Sequence, residues 1–273
     1  MPDVVLLAVA DRVATVTINR PEARNALSRE VRRLLPALMS EADGRDDVDA
    51  VVLTGADPAF CAGLDLKELG SGAADLSDAG AVGNVSPGGH RNGPFPEMRK
   101  PVIGAVNGVA ITGGLEVALA CDFLVASEQA RFADTHARVG IQPGWGLTVL
   151  LPQAVGLRRA REMSATGNFV DAATALSWGL VNHVVPHGEL LGFAQRLAAD
   201  IASNDARAVQ TIYATYDEGS LLAPGEAWDL ESRTAAAWQG AGLDPAEIER
   251  RRQTVSDRAQ VDAELQCLLD ALR

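Results

Sequence analysis

A layered α/β domain is the fold class this sequence predicts, and three observations predict it. Through the first half of the chain, β-branched runs alternate with apolar-periodic helical runs. Two of the β-rich runs lead into glycine-rich turns that open helical patterns, Phe60-Cys-Ala-Gly-Leu-Asp-Leu66 and Ala110-Ile-Thr-Gly-Gly-Leu-Glu116. From Thr148 onward helical patterns dominate.

The start reads as a hairpin, with β-rich runs at Val4–Val9 and Val13–Ile18 around Asp11-Arg12. Asn19-Arg-Pro21 ends the second strand. Ser28 is placed as the N-cap of a helix over Arg29–Ala42, with Val31, Leu34, Leu35 and Leu38 on one face. Pro36 inside that pattern predicts a kink or a shifted start. Val48–Leu53 is the next strand. Strand, turn and helix then recur, Val51–Thr54 into Asp65–Leu69 and Val102–Val106 into Gly114–Ala120, followed by short strands at Phe123–Ala126 and Ala130–Phe132. Gly70 to Pro96 is rich in Gly, Ser, Pro and Asn and reads as a mobile loop or a broken helix. It is either a lid between the two turns or a plain surface excursion. One strand, Val181–Val185, precedes Pro186; helices follow over Leu190–Ile201, Ala206–Glu218, Ala227–Ala237 and Pro245–Leu272. The expected division is a core over 1–195 and a C-terminal helical region over 196–273 that packs on the core or on a neighbouring subunit.

Composition bounds the function. The 273 residues are 47% hydrophobic and 22% charged, enough for a sizeable core; with only 4% aromatic residues, that core is expected to be mostly Ala, Val and Leu. A net charge of −12 argues against nucleic acid or an anionic membrane as partner, while leaving room for a phosphorylated small molecule at local basic groups such as Arg24, Lys67, Arg99 and Lys100. The 3 cysteines are far apart, which suggests neither a disulfide framework nor a zinc site. Met1-Pro-Asp3 lacks a basic start, and Glu116 and Asp122 interrupt the longest apolar stretch, so a cytoplasmic protein is expected. His183 and His187 are separated by a helix-breaking Pro186, which spoils a helical metal pair. There is no Gly-x-Ser-x-Gly elbow, and Gly144-x-Gly146 lacks the third glycine and preceding strand of a dinucleotide fingerprint.

A glycine turn at a helix start leaves backbone N–H groups free and pointing outward. Two such turns facing each other would grip one developing oxyanion. Glu116 follows Gly113 by three residues and sits in an apolar run, placed to move protons beside that oxyanion.

These turns and their flanks resemble the crotonase family, also called the enoyl-CoA hydratase/isomerase family. The matching runs are Thr17-Ile-Asn-Arg-Pro-Glu-Ala-Arg-Asn-Ala-Leu27, Ala59-Phe-Cys-Ala-Gly-Leu-Asp-Leu-Lys67, Pro101-Val-Ile-Gly-Ala-Val-Asn-Gly108, Gly113-Gly-Leu-Glu-Val-Ala-Leu-Ala-Cys-Asp122 and Gly140-Ile-Gln-Pro-Gly144, within a stretch from about Val4 to about Pro186. The resemblance implies a spiral of repeated strand-strand-helix units with C-terminal helices that make trimers or hexamers. It also implies acyl-CoA thioester substrates of fatty acid metabolism, and no cofactor beyond the CoA that the substrate carries. The oxyanion donors map onto the amides of Leu64 and Gly113. The CoA moiety maps against Ala23, Arg24, Ala26, Ala62 and Lys67, and the acyl end against Gly144 and Trp145.

Hydratases of the family divide proton transfer between two glutamates. The first maps onto Glu116; the second maps, within Phe132-Ala-Asp-Thr-His-Ala137, onto His136. The resemblance therefore implies an enoyl-CoA hydratase in which His136 assists Glu116, since an imidazole with a pKa of ~6.5 exchanges protons at neutral pH. Alternatively, Glu116 alone shuttles a proton in a double-bond isomerisation, or the protein binds acyl-CoA without turnover. Asp134 is near, but a two-residue offset need not turn it inward. Trp145 either narrows the acyl pocket or fills core, and Gly144 is either a turn approaching the site or a structural turn.

Overall fold

The opening hairpin forms as its β-rich runs require. β1 (Val5–Ala10) pairs antiparallel with β2 (Val13–Ile18), and Asp11 and Arg12 between them both take positive φ, the turn that matches strand twist. This computed structural model describes residues 3–70, 84–85, 92–240, 246 and 248–252. The chain divides by its contacts into two units, Met1–Ala206 and Arg207–Arg273.

α1 (Arg29–Gly44) begins where predicted, with Ser28 Oγ accepting from the Val31 amide at 3.3 Å. Pro36 neither shifts that start nor ends the helix; it is buried on the inner face with Val31, Leu35 and Met39. The core of the first unit is then laid down as three strand-strand-helix units: β3 (Ala50–Gly55), β4 (Ala59–Cys61) and α2 (Leu66–Gly70); β7 (Val102–Val106), β8 (Val109–Ile111) and α3 (Gly113–Leu119); β9 (Phe123–Ser127), β10 (Arg131–Ala133) and α4 (His136–Val139). Between the first two units, β5 (Asn84–Val85) and β6 (Asn92–Gly93) form a small ribbon. Residues 71–83 and 86–91, on which the lid expectation falls, lie outside the described residues.

β4 and β8 correct the simpler strand-turn-helix reading. Each unit gives its first strand to one sheet and its second to another. The six-stranded sheet runs β1-β2-β3-β7-β9-β12 and is parallel after the hairpin; the second runs β11-β10-β8-β4. Its remaining members are β11 (Val170–Asp171), which no sequence pattern announced, and in the first sheet β12 (His183–Val185), shorter than expected. α5 (Leu147–Val155) and α6 (Leu157–Thr166) precede β11, and α7 (Ala172–Trp178) lies between β11 and β12.

Period-2 alternation splits the core between the two faces of the large sheet. Val51 and Leu53 pack with α1 and the second sheet. Ala50, Val52, Ile103, Ala105 and Val125 pack against Leu190, Ala194 and Ala198 of α8 (Leu190–Ala202). That helix spans position 196, where the C-terminal region was expected to begin, and because it is seated on the sheet the first unit runs on to Ala206. α9 (Ala206–Gly219) and α10 (Pro224–Gly240) account for most of the second unit's described residues, with Leu230 buried and the Arg207 guanidinium 5.3 Å from the Trp238 ring. Residues 246 and 248–252 are helical; the rest of the expected Pro245–Leu272 helix lies outside the described residues. Among the described residues no helix is long and apolar enough to cross a membrane.

Candidate active site

The two glycine turns meet. Each follows the second strand of its unit, and β4 and β8 are paired in parallel, so the chain leaves both strands at the same sheet end. The contact is too close for side chains. A Cβ on Gly63 (φ +83°) would lie 2.8 Å from the Ile111 carbonyl oxygen and 3.4 Å from the Gly113 nitrogen. A Cβ on Gly114 would lie 2.1 Å from the Cys61 carbonyl oxygen. The glycines read from the sequence are thus demanded by backbone approach.

The first turn is held by the loop before α1. Leu27 forms a parallel bridge with Leu64, in which the Leu27 amide donates to the Gly63 carbonyl at 2.8 Å and the Asp65 amide donates to the Leu27 carbonyl at 3.4 Å. A parallel bridge of this kind uses the groups flanking Leu64 and turns the Leu64 amide away from Leu27. That amide has no hydrogen-bond partner among the described residues. The Ala62 amide donates to the Arg24 carbonyl at 3.0 Å, which puts Ala23, Arg24 and Ala26 beside Ala62. Asn25 braces this loop. It is fully buried at φ +57°; its Nδ2 donates to the carbonyls of Ala56 (2.7 Å) and Ala59 (2.6 Å), and its Oδ1 accepts from the Arg20 amide at 2.8 Å. Arg20 in turn donates to the Ala26 carbonyl at 2.7 Å and to Asp65 at 3.1 Å. Arg24 and Lys67 both stand exposed at this end.

The second turn starts α3. Thr112, at φ +54°, donates its amide to the Ala133 carbonyl at 3.0 Å, and its hydroxyl pairs with that of Thr135. The Gly113 amide has no partner among the described residues, as expected in the first turn of a helix. The Gly113 α-carbon is walled by apolar groups: a Cβ there would sit 3.1 Å from Leu27 Cδ1 and 3.7 Å from the edge of the Trp145 ring.

Glu116 is buried one turn along, 3% exposed, and its carboxylate is fixed rather than solvated. Oε1 accepts from the amides of Gly144 (3.1 Å) and Trp145 (2.7 Å), so the Pro143–Gly146 turn does approach the site. Oε2 faces His136 Nε2 at 3.4 Å. His136 is buried, and Asp134 Oδ1 takes hydrogen bonds from its Nδ1 (2.7 Å) and from its backbone amide (3.1 Å). The two-residue offset therefore does turn Asp134 inward. It sits in the bend where β10 gives way to α4, and strand alternation does not hold through a bend.

Burial pulls the His136 imidazole down, but hydrogen bonds and charge from Asp134 and Glu116 outweigh it and raise the pKa from 6.5 to about 9. Both carboxylates thus favour the charged form of the ring, a pull that the sequence expectation of a ring at its ordinary value did not include. Burial pushes the Asp134 carboxyl up, and the bonds from His136 and Ser164 more than reverse it, leaving it lowered.

Trp145 is 6% exposed and packs beside Gly113, so it both fills core and walls the site. His187 bonds Ser127 Oγ at 3.0 Å and Asp57 at 3.2 Å, and the His183 ring packs 5.1 Å from that of Phe193. Asn25 and Arg20, which the sequence reading passed over, hold this geometry together with Asp134, whose direction it left open. Asn25 carries the clearest signal in hindsight, because asparagine tolerates the positive φ that it adopts here.

A family model described as enoyl-CoA hydratase/isomerase matches residues 9–239. Among curated relatives, a probable peroxisomal enoyl-CoA hydratase 1 of Arabidopsis thaliana is 38% identical over 247 residues, 90% of each chain. A short-chain-enoyl-CoA hydratase of Clostridium acetobutylicum is 38% identical over 208 residues, 76% of this chain and 78% of that one. Among solved structures, an enoyl-CoA hydratase from Mycobacterium smegmatis superposes with a TM-score of 0.71 at 47% identity, covering 87% of this chain and 99% of that one.

Proposed function

Because the chain belongs to the enoyl-CoA hydratase/isomerase family, we propose that it is an enoyl-CoA hydratase, adding water across the double bond of a 2-enoyl-CoA thioester. The observation that carries this reading is the buried Glu116 carboxylate. It is tied by two amides on one oxygen, faces an acid on the other, and follows a turn whose amide is unpartnered.

In this reading the amides of Leu64 and Gly113 receive the thioester oxygen as negative charge builds on it, at roughly 3–4 kcal/mol per donor. Their lack of partners among the described residues, and the contact between their turns, support the assignment. Water is deprotonated at Glu116 Oε2, the oxygen that the two backbone amides do not hold. Its oxygen bonds to the β-carbon, and the α-carbon is protonated by His136. The reaction is redox-neutral and needs no group beyond the CoA that arrives with the substrate. The CoA end runs past the backbone of Ala23, Arg24, Ala26 and Ala62, where exposed Arg24 and Lys67 offer positive charge on a chain of net −12. Gly144 orients Glu116, and Trp145 limits the acyl end. Exposed Tyr216 and Trp228, 74% and 71% accessible, support assembly into a trimer or hexamer through the C-terminal helices. A cytoplasmic location agrees with the widely spaced cysteines, of which Cys61 and Cys121 are free and buried.

Crotonyl-CoA tests the reading. Hydration removes the conjugated absorbance and yields a 3-hydroxyacyl-CoA carrying ¹⁸O from labelled water. Interconversion of 2- and 3-enoyl-CoA without ¹⁸O uptake would instead mark an isomerase. Tight binding with neither product would mark a binding protein.

A further inference from the structure

Asp134 is a buried carboxylate to which the hydratase reading assigns no task. It is 3% exposed, and one of its oxygens receives two hydrogen bonds from the same residue, His136. The backbone bond closes the bend that starts α4, and any short oxygen-bearing side chain serves for that. The ring bond is different in kind. A carboxylate only accepts, so His136 Nδ1 carries a hydrogen, and Nε2 is the nitrogen left to face Glu116 Oε2 at 3.4 Å. With an acceptor at each ring nitrogen, a neutral imidazole would leave one nitrogen lone pair pointing at a carboxylate. The doubly protonated ring satisfies both.

We propose that Asp134 is a positioning residue that holds His136 as a cationic acid with Nε2–H toward the acyl site, so that the Asp134–His136 pair stands in for the second carboxyl group of a hydratase. The proposal rests on the hydratase reading and adds to it a way to reset the site. In the forward step an O–H bond of water breaks, its proton goes to Glu116 Oε2, and its oxygen bonds to the β-carbon. The π pair moves into the thioester enolate. The enolate then takes the Nε2 proton at its α-carbon, and the N–H electron pair stays on the ring. The site is left with a neutral imidazole beside a protonated Glu116. One proton transfer from Oε2 to Nε2 restores the starting pair, with substrate and water as the only reactants consumed.

The surroundings of His136 agree. Glu116 faces it from α3 and Asp134 from the bend after β10, with Ser164 of α6 bonded to Asp134. On its own helix, Arg138 is committed elsewhere, to the Thr166 carbonyl and Asn168. Arg161 and Glu162 of α6 are exposed. The balance of these groups with burial puts the His136 pKa at about 9.

Asp134→Asn tests this, because Asn keeps an oxygen for both His136 bonds and removes only the charge. The 4 histidines are labelled with ¹⁵N, His136 is assigned by comparison with His136→Gln, and its titration is followed without substrate. In the wild type the midpoint is expected near 9. In Asp134→Asn it should fall by about 1–3 units, and the alkaline limb of the kcat/KM profile should fall by the same amount. Asp134→Glu should recover part of both shifts. An unchanged midpoint in Asp134→Asn overturns the proposal. So does a lowered midpoint with an unmoved alkaline limb, since His136 then does not act as the acid. If Asp134→Asn does not fold, the wild-type midpoint decides, and a value in the ordinary histidine range overturns the proposal. Full turnover in Glu116→Gln would sink the hydratase reading instead, while the substrate-free titration would still report on Asp134.

Discussion

The two glycine turns reach the same backbone result with opposite surroundings. The Leu64 turn rests on polar bracing, with Asn25, Arg20 and Asp65 bonded around it and Arg24 and Lys67 exposed beside it. The Gly113 turn is dry: Leu27 and Trp145 wall it, and Leu115, Val117 and Ala118 of the helix it opens are all buried. The difference teaches that the same backbone turn can be held by polar bracing or by apolar packing. The basic, wet turn suits an anionic nucleotide end. The dry turn suits a carboxylate whose charge must not be spread into water, and Glu116 is accordingly held by two amides.

Breaking the contact between the turns should have the largest effect. Gly114→Ala drives a Cβ to 2.1 Å from the Cys61 carbonyl oxygen, whereas Gly144 has no atom within 4 Å of its Cβ position. Gly114→Ala is expected to lose about 3 kcal/mol or more in denaturant unfolding, and Gly144→Ala within about 0.5 kcal/mol. Equal losses would mean that the turns do not depend on close approach. Next is the dry side. Glu116→Gln should lower kcat at least ~100-fold, about 2.7 kcal/mol, with the fold intact by circular dichroism. A rate close to wild type would remove Glu116 from the chemistry.

The wet side should respond differently. Asn25→Ala abandons three hydrogen bonds of a buried side chain and is expected to cost about 2 kcal/mol of stability. It should raise KM for acyl-CoA more than it lowers kcat; the reverse pattern would show that both turns serve the chemistry alike. The last comparison is one of pH. The folded-state pKa of His136 is raised from 6.5 to about 9, so its stabilising contribution is fully present below pH 6.5 and is lost as pH rises through 9. Melting temperature should fall over that window, and His136→Gln should fall less.

Much of this was legible in the chain. The hairpin, α1, the long strands β3 and β7 and both glycine turns follow from periodicity and turn chemistry, as do Glu116 and His136 once the ordered motifs are compared with the family. β4, β8 and β11 were not legible, because two or three residues carry no usable period. The direction of Asp134 was left open because it is set where the strand ends, outside the strand rule. The raised proton affinity of His136 was not legible because part of it comes from Glu116, 20 residues upstream in sequence and 3.4 Å away in space.

By itself the sequence settled the local chemistry: which runs pleat, where only glycine is tolerated, and which acid follows the second turn. These depend on neighbours a few residues apart. Tertiary structure decided that the two turns touch, that Glu116 is clasped by amides 28 and 29 residues further on, and that His136 is flanked by two carboxylates, which raise its proton affinity. Proton affinity and close approach are properties of the space around a group, and only the folded chain defines that space.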